Sequence, residues 1–232
     1  MTKSAVAVLC FLPLAFLTAC DGGVASTTTG IWSGYYASVT GARYTQVSAS
    51  WVQPAVNCSG TPRSYSGFWV GLGAHLGPYV KGSTTEQTGT TAYCFDGSPF
   101  YNAWYELWPT PEVDYPMHVR PGDTISASVA TDGNGHFTLT VADPREGWTR
   151  RTRAMLKPAS LGSAEVIVEN PPGYSDPFAR FGAVRFTSAT ANGTSLSDVK
   201  DLQKINMVAH GKFQARTSPM SNGAFTVTWK HS

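Results

Sequence analysis

Glu165 and Glu169 stand four residues apart in the run Ala164-Glu165-Val166-Ile167-Val168-Glu169. Residues two apart on a strand share a face, so both carboxyls project opposite Ala164, Val166 and Val168. Covering two carboxylates with a second sheet carries a prohibitive cost, which predicts an open face there. Paired carboxyls can take protons from water and return them to a leaving group. The same division from Phe100 to Trp108 sets Tyr101, Ala103, Tyr105 and Leu107 against Phe100, Asn102, Trp104, Glu106 and Trp108. From Gly67 to Gly73 it sets Phe68, Val70 and Leu72 against Trp69, with Gly71 and Gly73 leaving backbone open to a ligand. Indoles, carboxyls and an amide on one concave face suit an extended polymer, either peptide or polysaccharide.

The elements that must hold these groups are strands. Period-two alternation predicts strands at Tyr44–Val52, Gly67–Leu72, Thr84–Tyr93, Phe100–Trp108, Thr124–Ala130 and His136–Ala142. Further strands are expected at Ala164–Glu169, Ala183–Thr187, Ile205–Ala209 and Phe225–Lys230. Turn residues separate them, as in Pro121-Gly122-Asp123, Asp132-Gly133-Asn134-Gly135 and Ser221-Asn222-Gly223. One helix is expected over Leu196–Leu202, with Ser195 as its N-cap. The weakly periodic, charged stretch from Asp143 to Ser163 reads as a long mobile excursion at a sheet edge. Many short strands with no helices between them predict an all-β, two-sheet antiparallel sandwich forming one domain.

The chain has 232 residues, of which 14% are charged, with 23 Gly and 15 Pro, so it is long enough for a sizeable core with many turns. At the N-terminus, Lys3, an apolar stretch from Ala5 to Phe16 and Leu17-Thr18-Ala19-Cys20 read as an export signal. The last four residues resemble a bacterial lipobox. Cleavage before Cys20 would remove residues 1–19 and leave Cys20 acylated, residues 20–30 as a tether and residues 31–232 as the folded domain. The expected location is therefore outside the cytoplasm, held to a membrane only through that lipid. Loss of the signal removes one lysine and no acid, taking the formal charge from +2 to +1. No dense run of Lys and Arg points to nucleic acid, and Arg145, Arg150, Arg151 and Arg153 read as a solvated loop or edge strand. With Cys10 in the signal, the exported pair Cys58 and Cys94 is expected to form a disulfide.

Other chemistries find no motif. His75, His118, His136, His210 and His231 lack metal-site spacing, and neither a metal nor a cofactor is expected. There is no Gly-x-Ser-x-Gly elbow. Asp123 lies in Asp-Thr-Ile, where a turn role fits.

Several runs occur in an order that resembles the glutamic peptidases known as eqolisins: Gly67-Phe68-Trp69-Val70-Gly71-Leu72-Gly73, Glu86-Gln87-Thr88-Gly89, Tyr101-Asn102-Ala103-Trp104-Tyr105-Glu106, Ala164 to Glu169 and Phe181-Gly182-Ala183-Val184-Arg185-Phe186. Trp32-Ser33-Gly34-Tyr35 and Val47 to Pro54 fit the family's opening strands, so the resemblance spans about residues 31 to 230. It implies a concanavalin-like sandwich of two bent sheets with the substrate on the concave face, and a monomeric enzyme acting on polypeptides in acid. It assigns the catalytic roles to Gln87 and Glu169, and it places Trp69, Trp104 and Glu106 along the cleft. Glu165, on the same face as Glu169, joins them as a substrate-binding candidate. In the implied mechanism Glu169 is the general base and then acid toward one water, while Gln87 donates to the oxyanion. Fungal members often carry Asp where this chain has Gly73 and Asn102, so two cleft acids are expected to be missing. A carbohydrate-binding or glycoside-cleaving sandwich, or a non-catalytic surface binding protein, would share the aromatic groove but give Gln87 no necessary role.

Overall fold

The computed structural model describes residues 24–38, 41, 43–73, 83–171 and 177–232. The proposed signal, Cys20 and His75 lie outside them. Seventeen strands follow one another: β1 (Ala25–Thr29), β2 (Trp32–Ala37), β3 (Gln46–Val52), β4 (Ser64–Gly73), β5 (Thr85–Phe95), β6 (Ser98–Phe100), β7 (Ala103–Trp108), β8 (Val113–Tyr115) and β9 (Thr124–Thr131), then β10 (His136–Asp143), β11 (Trp148–Met155), β12 (Ser163–Glu169), β13 (Ala183–Ala191), β14 (Thr194–Ser195), β15 (Leu202–Ala209), β16 (Lys212–Thr217) and β17 (Phe225–Trp229).

Two layers emerge from the pairing. One runs β8-β7-β5-β4-β12-β2-β15, with β1 parallel to β15 at its edge. The other runs β17-β13-β3-β9-β10-β11. Strand β16 pairs with both β15 and β17 and so carries the hydrogen-bonded network from one layer into the other. Every strand pair except β1 with β15 is antiparallel.

The core fills the space between the layers. Phe68, Val70, Leu72, Val166 and Val168 of the first layer meet Val47, Trp51, Ile125, Leu139 and Phe186 of the second in one buried cluster. Polar groups also cross it. The Trp51 Nε1 donates to the Thr90 hydroxyl at 3.1 Å, and the Gln53 amide donates to the Thr91 carbonyl at 3.1 Å. Cys58 and Cys94 form the expected disulfide, which ties the loop before β4 to the end of β5.

Three expectations are corrected. Asp143–Ser163 is not a mobile excursion, because β11 pairs with β10 along its whole length, from Asp143 with Trp148 to His136 with Met155. Its exposed Arg150, Arg151 and Arg153 belong to a charged strand that is paired on one side only, a composition that discourages edge-to-edge association. The helix over Leu196–Leu202 is a single 3₁₀ turn, Leu196–Asp198. The Ser195 hydroxyl meets Ser197 at 2.8 Å rather than capping the turn, and Leu202 already begins β15. Finally, Ala25–Thr29, placed in the tether, is strand β1.

Candidate active site

Register decides which side chains meet. On β4, Gly67 faces Glu169 of β12, Trp69 faces Ile167, and Gly71 faces Glu165. On its other flank, Trp69 faces Gly89 and Gly71 faces Gln87 of β5. Gln87 in turn faces Glu106 of β7, and Gly89 faces Trp104. Opposed residues in an antiparallel pair project to one side, so Glu169, Gln87, Glu106, Trp69 and Trp104 share the face away from the core. Gly89, in the Gln-Thr-Gly run, permits this packing, because a Cβ there would lie 2.0 Å from the Phe68 carbonyl oxygen and 2.8 Å from the Trp69 Cβ.

This face holds a cleft of about 260 Å³ lined by Gln87, Glu169, Glu106, Trp104, Tyr65 and Glu112 among others. The Gln87 amide donates to Glu106 Oε2, and the Gln87 Oε1 is buried with no hydrogen-bond partner among the described residues. Trp69 is fully buried, and its Nε1 donates to Glu169 Oε2 at 2.8 Å. The Trp32 ring packs edge-on against Trp69, with centroids 5.4 Å apart. Glu165 is also fully buried, accepts from the Ser163 hydroxyl at 2.6 Å, and is not among the lining residues. The cleft thus brings together Gln87, Glu169, Trp104 and Glu106, while Trp69 and Glu165 stand behind it.

The face is not the solvated surface expected of its acids. Glu169 is only 8% exposed, beside a second apolar cluster of Trp32, Trp69, Trp104, Ile167 and Ile205. Burial there is met by holding protons. Desolvation pushes Glu169 up to about 7, with Glu106 and Glu165 adding repulsion, while the indoles of Trp32 and Trp69 pull it down. Of those two indoles, Trp69 alone has hydrogen-bond geometry. Glu106 is likewise raised by burial, against the hydrogen bond from Gln87. Glu112 reaches about 8 through burial and repulsion from Asp114, Glu106 and Glu169. Among the described residues no Lys, Arg or His lines the cleft.

The two positions lacking acids are accounted for locally. A Cβ at Gly73 would lie 2.8 Å from the Thr85 hydroxyl and 3.3 Å from Glu165 Oε1. Asn102 accepts from Thr91 at 2.6 Å and donates to Asp114, which supplies a carboxyl at that place from β8. Trp32, Tyr65 and Glu112 were not singled out from sequence as site residues. Trp32 was legible only as part of an opening strand, and Glu112 follows Pro109-Thr110-Pro111, which has no periodicity to assign it a face.

The model of the Peptidase A4 family matches residues 30–229. Aspergillopepsin-2 of Aspergillus niger is 29% identical over 222 residues, covering 85% of this chain and 77% of that protein. Scytalido-glutamic peptidase, solved with a transition state analog inhibitor, superposes with a TM-score of 0.72 at 23% identity, over 87% of this chain and 98% of that one. Aspergilloglutamic peptidase from Aspergillus niger gives 0.61 at 26% identity, over 72% and 99%. The family match spans most of the chain, so the protein belongs to the Peptidase A4 family, the eqolisins, and is a glutamic endopeptidase.

Proposed function

We propose that Glu169 and Gln87 hydrolyse the peptide bond through one activated water. Glu169, as carboxylate, takes a proton from the water as it attacks the scissile carbonyl, then returns that proton to the departing amine. Gln87 donates an amide hydrogen to the oxyanion. Glu106 holds the Gln87 amide in place, and Trp69 holds the Glu169 carboxyl. The observation that carries this reading is the register placing both side chains over β4 on one cleft face.

The acid range is what the family resemblance implies, and within it the carboxyls act as a set. An ordinary glutamate near 4.3 is not what burial produces here. In a cluster of interacting carboxyls the protonation steps belong to the group, and each ionisation holds back the next. Catalysis belongs to the singly ionised cleft, with the charge on Glu169, at weakly acid pH. Further ionisation toward neutrality, where no substrate cation balances it, crowds negative charge into the cleft and ends it. Digestion of denatured casein from about pH 2 to about pH 8 should give a bell-shaped profile that pepstatin does not suppress. Intact casein throughout would refute the reading.

Export and acylation of Cys20 complete the proposal, resting on the lipobox-like run alone, and the enzyme is taken to act as a monomer. Incorporation of labelled palmitate that is lost in Cys20→Ser would support the anchor, and equal labelling of both forms would exclude it.

A further inference from the structure

Glu112 has no part in the mechanism above, yet it lines the same cleft. It follows Pro109 and Pro111, whose rings fix two backbone torsions of the segment between β7 and β8. Glu112 Oε2 accepts from the Tyr65 hydroxyl at 3.3 Å. Tyr65 in turn stacks on Tyr93, and Tyr93 on Phe100, so the hydroxyl is presented from a braced ring.

The groups acting on this carboxyl are of one sign. Glu106 comes from β7, Asp114 from β8 and Glu169 from β12, while β4 contributes the neutral Tyr65. Strand β5 adds Thr85 and Gln87, neither charged, and among the described residues no cation lines the cleft. A cationic side chain brought by the substrate is the group that would relieve this repulsion. Trp108, Pro109 and Pro111 beside it form an apolar wall that suits the methylene stem of such a side chain, and an indole face suits a guanidinium.

We propose that Glu112 is a specificity-determining residue that selects an arginine or lysine side chain of the peptide substrate, and that this selection strengthens as pH rises. The inference rests on the hydrolytic reading of the same cleft. In strong acid Glu112 keeps its proton and offers only a neutral hydrogen bond. Burial and the three neighbouring carboxyls hold it in that form to about 8 in the free enzyme. A bound guanidinium opposes that repulsion and favours the carboxylate.

The test uses peptides identical except for arginine or its uncharged isostere citrulline, with the substituted position walked through the sequence. At about pH 6.5 the ratio of kcat/KM, arginine over citrulline, should reach about 10-fold at one position, the size of one charge-assisted hydrogen bond. It should shrink toward one at about pH 4 and be close to one at both pH values in Glu112→Gln. A wild-type ratio near one at every position and pH, or an undiminished ratio in Glu112→Gln, would overturn the proposal. Anisotropy binding of the same peptides to the Glu169→Gln variant separates the two readings. Discrimination in binding without any cleavage by the wild type would defeat hydrolysis and leave the recognition standing, whereas cleavage without discrimination would do the reverse.

Discussion

The two layers of the sandwich treat their outer faces in opposite ways. In β3, β9 and β10, buried Val47, Ala49, Trp51, Ile125, Val129 and Leu139 alternate with half-buried Ser48, Ser50, Ser126, Ser128 and Thr140. In β4 and β12 every residue is buried, and β5 is buried through Ala92. The first pattern is that of a sheet with one wet face, and the second that of a sheet covered on both faces. Carboxyls in the second setting are held protonated by burial. Glu86, Glu106, Glu112 and Glu169 are all raised. On the other layer, exposed Asp132, in the turn before β10, is lowered to about 2 by hydrogen bonds from the Asn134 backbone and the His136 side chain. Burial and not the layer decides, because Asp143, buried at the end of β10 in that same layer, is raised by desolvation as well.

The largest expected effect strikes the covered layer. Glu169→Gln should lower kcat by roughly 10³-fold or more, the range of a lost general base, with an unchanged far-UV CD spectrum. A smaller kinetic change sharpens the contrast. Trp69→Phe removes the indole donor that pulls Glu169 down, so the limb of the rate profile that rises with pH should move to higher pH. An unmoved limb would mean that another group sets it.

Stability should divide along the same line. Glu86 is fully buried opposite Leu72 and Leu107, and burial raises it to about 8 against the pull of Thr84 and its own backbone N–H. A carboxyl raised in the folded state holds its proton more tightly there than in the unfolded chain. Its contribution is complete below the ordinary glutamate value and is lost as pH climbs through about 8. Thermal melts should therefore show the midpoint falling from about pH 5 to about pH 8, and Glu86→Gln should flatten that fall. Asp132→Asn, on an exposed carboxyl, should leave the midpoint nearly unchanged across the same range. Reduction of the Cys58–Cys94 bridge, which closes a loop with a sequence separation of 36, should cost about 3 to 4 kcal/mol in denaturant titration.

The contrast also explains what could be read from sequence. Alternation in Thr124–Ala130 and His136–Ala142 marks strands with one wet face, and those segments lie within β9 and β10. The face division of Gly67–Gly73, Phe100–Trp108 and Ala164–Glu169 matches the two apolar clusters, with Phe68, Ala103 and Val166 in one and Trp69, Trp104 and Ile167 in the other. Burial of the second face was not legible, because a Glu on a strand looks the same whether water or indole lies above it. Glu86 escaped for a related reason, since it faces the core beside the Gln-Thr-Gly run, where alternation predicts an apolar residue. The arginines of β11 left a solvated loop and an edge strand both open, and the pairing with β10 makes it the edge strand. Glu112 sits in a proline segment whose place in the cleft comes only from tertiary packing.

In the proposed mechanism a carboxyl from β12 and a carboxamide from β5 act together on one water. A double-mutant cycle of Glu169→Gln and Gln87→Ala, read as kcat/KM on one neutral peptide at the optimal pH, tests it most directly. Groups that work as a unit predict a double variant about as impaired as the worse single variant. Losses that simply multiply would show two independent contributions and contradict the claim.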